Sequence, residues 1–330
     1  MRTFNKPLGY LLLFPIVLAL FFIILQGSAS KELKNQEPPP PKEEIKPEKV
    51  VLKKEVMDAH EHAFTIPRIP KDVDFCGERV PFEDRNVLER MEREILVNSY
   101  WHSSTFLMLK RTSRYFGMIE KILEEEGVPS DFKYLALAES GLQPVKSGAG
   151  AQGVWQFIKT TGSKNGLEIR KEVDERYHVA KATHAACNYL KRAKSRFGTW
   201  TLAAAAYNRG EAGLSRALSG QRVKGYYDLY LNSETSRYVF RIIALKLIHQ
   251  NPEAFNLKLD DWEYYQPISA YSVEVDTSVK SLPQFALDHG TTYKILREMN
   301  PWLRSYSLSN SKHKKYYIEL PFMESERIDE

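Results

Sequence analysis

Glu139 lies four positions after Leu135 and seven after Phe132, so in a helix it shares their apolar face. A carboxyl placed there loses hydration, which disfavours its ionised form and raises its affinity for a proton. General acid work near neutral pH needs a carboxyl that titrates about 2 units above the ordinary ~4.3. The same spacing also suits a buried glutamate paired with an arginine or a helix terminus, and alone it leaves both readings open. The residues that follow narrow the choice. Positions 139 to 156 read Glu-Ser-Gly-Leu-Gln-Pro-Val-Lys-Ser-Gly-Ala-Gly-Ala-Gln-Gly-Val-Trp-Gln, and farther on stand Ala206-Tyr207-Asn208 and Glu234-Thr235-Ser236-Arg237-Tyr238-Val239. Taken singly, Trp155 reads as ordinary core and Asn208 as a helix C-cap. No Asp or Glu stands between Ser140 and Leu167, so a second carboxylate would come from Glu168, Asp174, Glu175 or Glu211.

Helices must carry these residues. Val87, Leu88, Met91 and Ile95 fall at helical spacing among charges, and a second amphipathic run through Phe106, Leu109, Phe116, Ile119 and Leu123 stops at Gly127-Val128-Pro129. Ser130 is placed to cap a third helix, which carries Glu139 and ends near Gly141. A Gly-rich loop follows, then a short helix is expected around Trp155 and Phe157. Further helices are expected over 179–197, 200–207 and 233–249, the last stopped by Asn251-Pro252. Strand signals are nearly absent from 82 to 250, which predicts an all-α domain. After Trp262 the pattern changes. Tyr271 to Val275 and Tyr316 to Leu320 alternate as strands do, with two short helical patterns between them, which predicts a separate small βααβ unit.

The 330 residues suffice for one sizeable domain and a smaller one. With 43% hydrophobic and 27% charged residues, a wholly disordered chain and a multi-span transporter are excluded. A net charge of +5 suits an anionic polymer but is too small to indicate nucleic acid, and no spacing suggests a metal or a cofactor. Arg2 and Lys6 precede an apolar run from Leu8 to Leu25, which as a helix spans about 27 Å, close to the ~30 Å hydrocarbon thickness. Residues 1–30 are therefore expected to be a membrane anchor or signal segment, with the rest exported to the periplasm or cell envelope. The run exceeds the usual ~7–15-residue signal core, which favours a retained anchor, while Ser28-Ala29-Ser30 resembles a cleavage site, so release after cleavage stays open. Residues 31–65, rich in Pro, Lys and Glu, read as a tether. Cys76 and Cys187 are either a bridge or two buried thiols.

The ordered set of motifs, Glu139-Ser140, Gly153-x-Trp155-Gln156, Ala206-Tyr207-Asn208 and Glu234-x-x-x-Tyr238-Val239, resembles the lytic transglycosylases of the family-1 soluble-lytic-transglycosylase type. The resemblance covers roughly 119–247, and the βααβ unit resembles a LysM module. It implies a mainly α protein, with a lysozyme-like α-helical catalytic domain at 66–265 (core 119–250) and a LysM-like domain at 266–330. It implies that Glu139 is the single catalytic acid and base, and that Ser140, Gly153, Gln156, Tyr207, Asn208 and Tyr238 bind or position substrate. The implied substrate is the glycan strand of peptidoglycan, cut at the β-1,4 bond between MurNAc and GlcNAc to leave 1,6-anhydro ends. Two alternatives remain on the same scaffold: a hydrolytic muramidase and an inactive wall-binding protein. The LysM-like unit has Asp276-Thr277-Ser278 where such modules carry Gly-Asp-Thr after the first strand, so it reads either as a glycan binder or as a module that only packs on the catalytic domain. On the first reading its removal spares short soluble substrates.

Overall fold

Phe132, Tyr134, Leu135, Ala136 and Leu137 are all buried, which sets a short helix at the centre of the molecule with Glu139 in its last turn. The structure, a computed structural model, describes residues 66–322, so the expected anchor and tether lie outside the described residues. Ten α-helices occur among the described residues, eight of them before residue 251. These eight are α1 (Arg85–Tyr100), α2 (His102–Glu125), α3 (Phe132–Ser140), α4 (Lys159–Lys164), α5 (Val179–Phe197), α6 (Trp200–Arg209), α7 (Glu211–Gln221) and α8 (Ser233–Gln250). The chain is mainly α, as the sequence predicts. No helix among the described residues is long and apolar enough to cross a membrane.

Local chemistry marks the helix ends. Asp84, Thr199 and Asn232 each accept a backbone N–H of the first turn of α1, α6 and α8. Gly141, at φ +58, ends α3 directly after the Glu139-Ser140 pair, and its amide donates to the Leu137 carbonyl at 2.8 Å. Helix α8 is buried over most of its length and packs on α1, α3 and α6. Ala203 to Ala206 are fully buried, and their small side chains let α6 approach α5 and α8 closely.

Two local expectations change, a hairpin is added, and the cysteines take one of their two readings. The third helix starts at Phe132 with Asp131, not Ser130, at its N-cap, and the Asp131 carboxylate accepts instead from the Cys76 amide at 2.7 Å and from Lys246 at 2.8 Å. Residues 152–157 form turns and single bridges rather than a helix, because Gly150 and Gly153 take positive φ and Gln152 bridges both Lys146 and Phe157. A small hairpin, β1 (Asp74–Phe75) with β2 (Glu78–Arg79), precedes the helices; Glu78 caps α6 by accepting from the amides of Trp200 at 2.6 Å and Thr201 at 2.8 Å. Cys76 and Cys187 are free thiols.

The C-terminal residues form β3 (Ala270–Val275), α9 (Leu282–Asp288), α10 (Tyr293–Met299) and β4 (Tyr316–Pro321), with β3 and β4 antiparallel and Val273 opposite Ile318. Leu282, Ala286, Leu296, Leu303, Ile318 and Leu320 make a second core. That core also contains Val173 and Tyr177 from the helical part, so the unit packs on the rest of the chain.

Candidate active site

Helix α3 brings Glu139 to the meeting point of two cavities, each of about 610 Å³. One is lined by Gln156, Tyr207, Asn208, Glu234 and Tyr238, the other by Trp101, Arg111, Ser140, Gln143 and Arg237; Glu139 and Arg241 border both. Burial pushes the Glu139 carboxyl up to about 7, and the nearby charge of Glu234 adds to the rise; a hydrogen bond from Tyr238 and the charge of Arg241 pull the other way. This is the range a general acid needs near neutral pH.

The hydroxyl of Tyr238 donates to Glu139 Oε1. Burial raises the Tyr238 and Tyr207 phenols well above their ordinary value, so both stay protonated and act as donors. Tyr207 donates to the Trp155 carbonyl at 2.7 Å and Ser140 to the Val154 carbonyl at 2.8 Å, which ties the turn over 152–157 to the helices on either side. Gln156 sits in that turn at φ +49, a conformation that costs a non-glycine residue about 1–3 kcal/mol. Its side-chain amide donates to the carbonyls of Gly153 at 2.7 Å and Val145 at 3.1 Å. Gly153 is required by close approach: a Cβ there would lie 1.8 Å from the Arg176 carbonyl oxygen. Asn208 is not a helix cap. It donates to Glu234 at 3.1 Å and accepts from Thr235 at 2.8 Å, joining α6 to the start of α8.

Glu139, Gln156, Tyr207, Asn208 and Tyr238 thus line one cavity, Ser140 lines the other, and Gly153 stands behind the wall. Three residues were not picked out from the sequence as part of the site. Arg241 follows Tyr238 by three positions on α8 and so shares its face, which is the signal that points to it. Glu94 is fully buried on α1 and pairs with Arg93 and Arg237 at 2.6 Å, with Arg241 at 3.8 Å; a charge at the spacing of Met91 and Ile95 was the clue. Glu234 is a second carboxylate in the cavity, lying inside a motif read only for its tyrosine. The four carboxylates considered from the sequence are engaged elsewhere, Glu168 and Glu175 with Lys314, Asp174 with Arg176, and Glu211 with Arg192 and Arg196. Tyr226 is core, its hydroxyl reaching the carbonyls of Thr235 and Ser236 at 2.9 Å, while Tyr230 is exposed.

Residues 117–229 match the transglycosylase SLT domain, and residues 271–324 match the soluble lytic transglycosylase C-terminal LysM-like domain. The chain therefore carries an SLT domain followed by a LysM-like domain. Among individual proteins it is similar to membrane-bound lytic murein transglycosylase D of Escherichia coli, strains K12 and O6:H1, at 26% identity over 257 residues in each case. That alignment covers 76% of this chain and 55% of the relative, so the chain spans about half the length of the curated relatives it matches. A solved structure of an inactive mutant of the lytic transglycosylase Slt from Pseudomonas aeruginosa aligns at 22% identity and a TM-score of 0.35, covering 46% of this chain and 26% of that one.

Proposed function

We propose that the protein is a peptidoglycan lytic transglycosylase of the cell envelope, with Glu139 acting first as acid and then as base. The observation that carries this reading is one carboxyl held up to about 7 where two cavities meet, with room for glycan on both sides. The envelope location rests on the apolar run from Leu8 to Leu25 and on the relatives' description as membrane-bound.

The bond between the MurNAc anomeric carbon and the leaving oxygen breaks as Glu139 gives that oxygen its proton. The substrate's own N-acetyl oxygen stabilises the anomeric carbon, as in substrate-assisted glycosidases. The ionised Glu139 is then favoured by the Tyr238 hydroxyl on Oε1 and by the positive charge of Arg241. Its Oε2, without a protein partner among the described residues, is the oxygen open to substrate. Glu139 takes the proton of the C6 hydroxyl, whose oxygen bonds to the anomeric carbon and closes the 1,6-anhydro ring. No water is consumed.

Glu234 in the same cavity favours the one rival reading, hydrolysis with two carboxylates. Mass spectrometry of products from purified cell wall separates the two. Anhydro ends, lost in Glu139→Gln with a rate drop of at least about 10²–10⁴-fold and retained in Glu234→Gln, are the expected result. Reducing ends would instead identify a muramidase, and wild-type turnover in Glu139→Gln would mean that the acid lies elsewhere.

A further inference from the structure

The segment from Leu167 to His178 is gripped on two sides. Toward the cleft, Arg176 forks onto Asp174 at 2.9 and 2.7 Å, and its remaining nitrogen donates to the carbonyls of Phe157 at 3.2 Å and Gly150 at 3.4 Å. Its own carbonyl fills the space that a Cβ on Gly153 would need. Arg176 is buried, so this contact works away from competing water. On the other side the segment joins the C-terminal unit through its backbone. The Asp174 amide donates to the Trp302 carbonyl at 2.8 Å, and the Arg304 amide to the Glu172 carbonyl at 2.7 Å. Val173 is fully buried in the C-terminal core, and the Arg304 guanidinium lies 4.3 Å over the Tyr177 ring. Lys314 adds ion pairs to Glu168 at 2.5 Å and Glu175 at 3.1 Å.

We propose that the C-terminal unit is a positioning element of the cleft. Acting through residues 167–178, it holds the turn over 150–157, and with it Gln156, in a conformation the turn does not adopt unaided. The left-handed Gln156 is the reason a brace is needed, since strained backbone persists where its surroundings over-determine it. The assignment of this turn to the substrate wall rests on the function proposed above; the mechanical coupling does not. A unit joined by two backbone hydrogen bonds and a shared core moves with the helical part rather than on a linker, so its first effect is on geometry and only secondarily on capture of polymer.

The test uses the full chain with Lys314→Glu, which sets a third carboxylate against Glu168 and Glu175, and with Lys314→Arg as the conservative control. Trp302→Ala, which removes the ring packed against His178 and Tyr316, is the second undocking variant. Hydrogen exchange is followed at the Gln152 and Gly153 amides, which donate to Phe157 and Val145, and at α8 and the β3–β4 pair as references. The expected result is exchange at residues 152 and 153 faster by about tenfold or more, with α8 unchanged in both variants and β3–β4 unchanged in Lys314→Glu. On a soluble GlcNAc-MurNAc tetrasaccharide, kcat falls about 10–100-fold while KM moves by less than about threefold, and Lys314→Arg restores both readouts. Unchanged exchange at 152 and 153 in both undocking variants overturns the proposal whatever the activity. So does unchanged kcat on the tetrasaccharide with weakened binding to insoluble cell wall, which would make the unit a binding module. If the wild type proves inactive on peptidoglycan, the exchange result still decides the coupling, and only the proposed function falls.

Discussion

Glu139 is where burial and charge oppose each other most directly, since its low-polarity setting keeps the proton on while Tyr238 and Arg241 favour its loss. With the carboxyl at about 7, the proposed cleavage, which needs the acid form, is expected to decline above neutral pH. Tyr238→Phe removes a bond that favours the ionised form, so the alkaline limb of kcat/KM is expected to move up, by about one pH unit, while kcat falls; pH–rate profiles of both proteins check this. The same rise makes a stability statement. The folded protein holds this proton more tightly than the unfolded chain, so this group's contribution to stability is full below about 4.5 and is lost as pH rises through 7, by up to about 3 kcal/mol. Glu139→Gln has no proton to lose, and urea unfolding should find its advantage over wild type growing from pH 4.5 to pH 8. Glu139 and its tyrosine partner were readable from the chain because motifs mark them. Glu94 and Arg241 offered only helical spacing, because the role of a charge on an apolar helix face declares itself only when neighbouring helices show what it pairs with.

The elements divide by the range of the forces that set them. Helices α1, α2, α5 and α8 follow from periodicity within their own residues, with side-chain caps on α1 and α8, and the sequence places them to within a few positions. The turn over 152–157 does not follow from local pattern. Trp155 suggested a helix, yet its indole N–H donates to Thr183 at 2.9 Å on α5, and that distant partner, with the bridges of Gln152, decides the path. The hairpin at 74–79 escaped for a similar reason: four paired residues are too few for alternation, and Glu78 finds its donors on α6, more than a hundred positions away. At this scale Gly153→Ala is the telling substitution. A methyl at 1.8 Å from a backbone oxygen, on a residue at φ +80, forces the turn away from Arg176. The expected cost is about 3 kcal/mol or more by denaturant unfolding, against less than about 1 for Gly148→Ala, which meets nothing within 4 Å.

For the whole molecule, the described residues bury a large helical core and a smaller C-terminal one that takes in Val173 and Tyr177 of the helical part. A chain beginning at Val56 is expected to stay soluble without detergent, which size-exclusion chromatography reads; a need for detergent would mean that the apolar run contributes to packing. Removing 267–330 is a different operation, because it bares Val173 and Tyr177 and leaves Glu168 and Glu172 without Lys314 and Ser309. A lower thermal midpoint is expected for that truncation, where the alternating strand patterns alone had suggested a detachable module. The strands and helices of the unit were readable; its docking was not, since it depends on backbone atoms of Glu172 and Asp174 and on side-chain pairs such as Lys314 with Glu168, whose partners lie far apart in the chain.

The two chambers on either side of Glu139 have one more consequence, for how a polymer is measured. On the proposed function, cavities of similar volume flanking the carboxyl would let the bond to be cut be chosen by how many sugars lie to its left and right. On the proposed reading, a series of oligomers of increasing length would show rate rising in steps as each chamber fills, then levelling once both are occupied. The cleft would work as a ruler with its zero mark in the middle, and the lengths of the fragments it leaves would record how evenly the two arms grip.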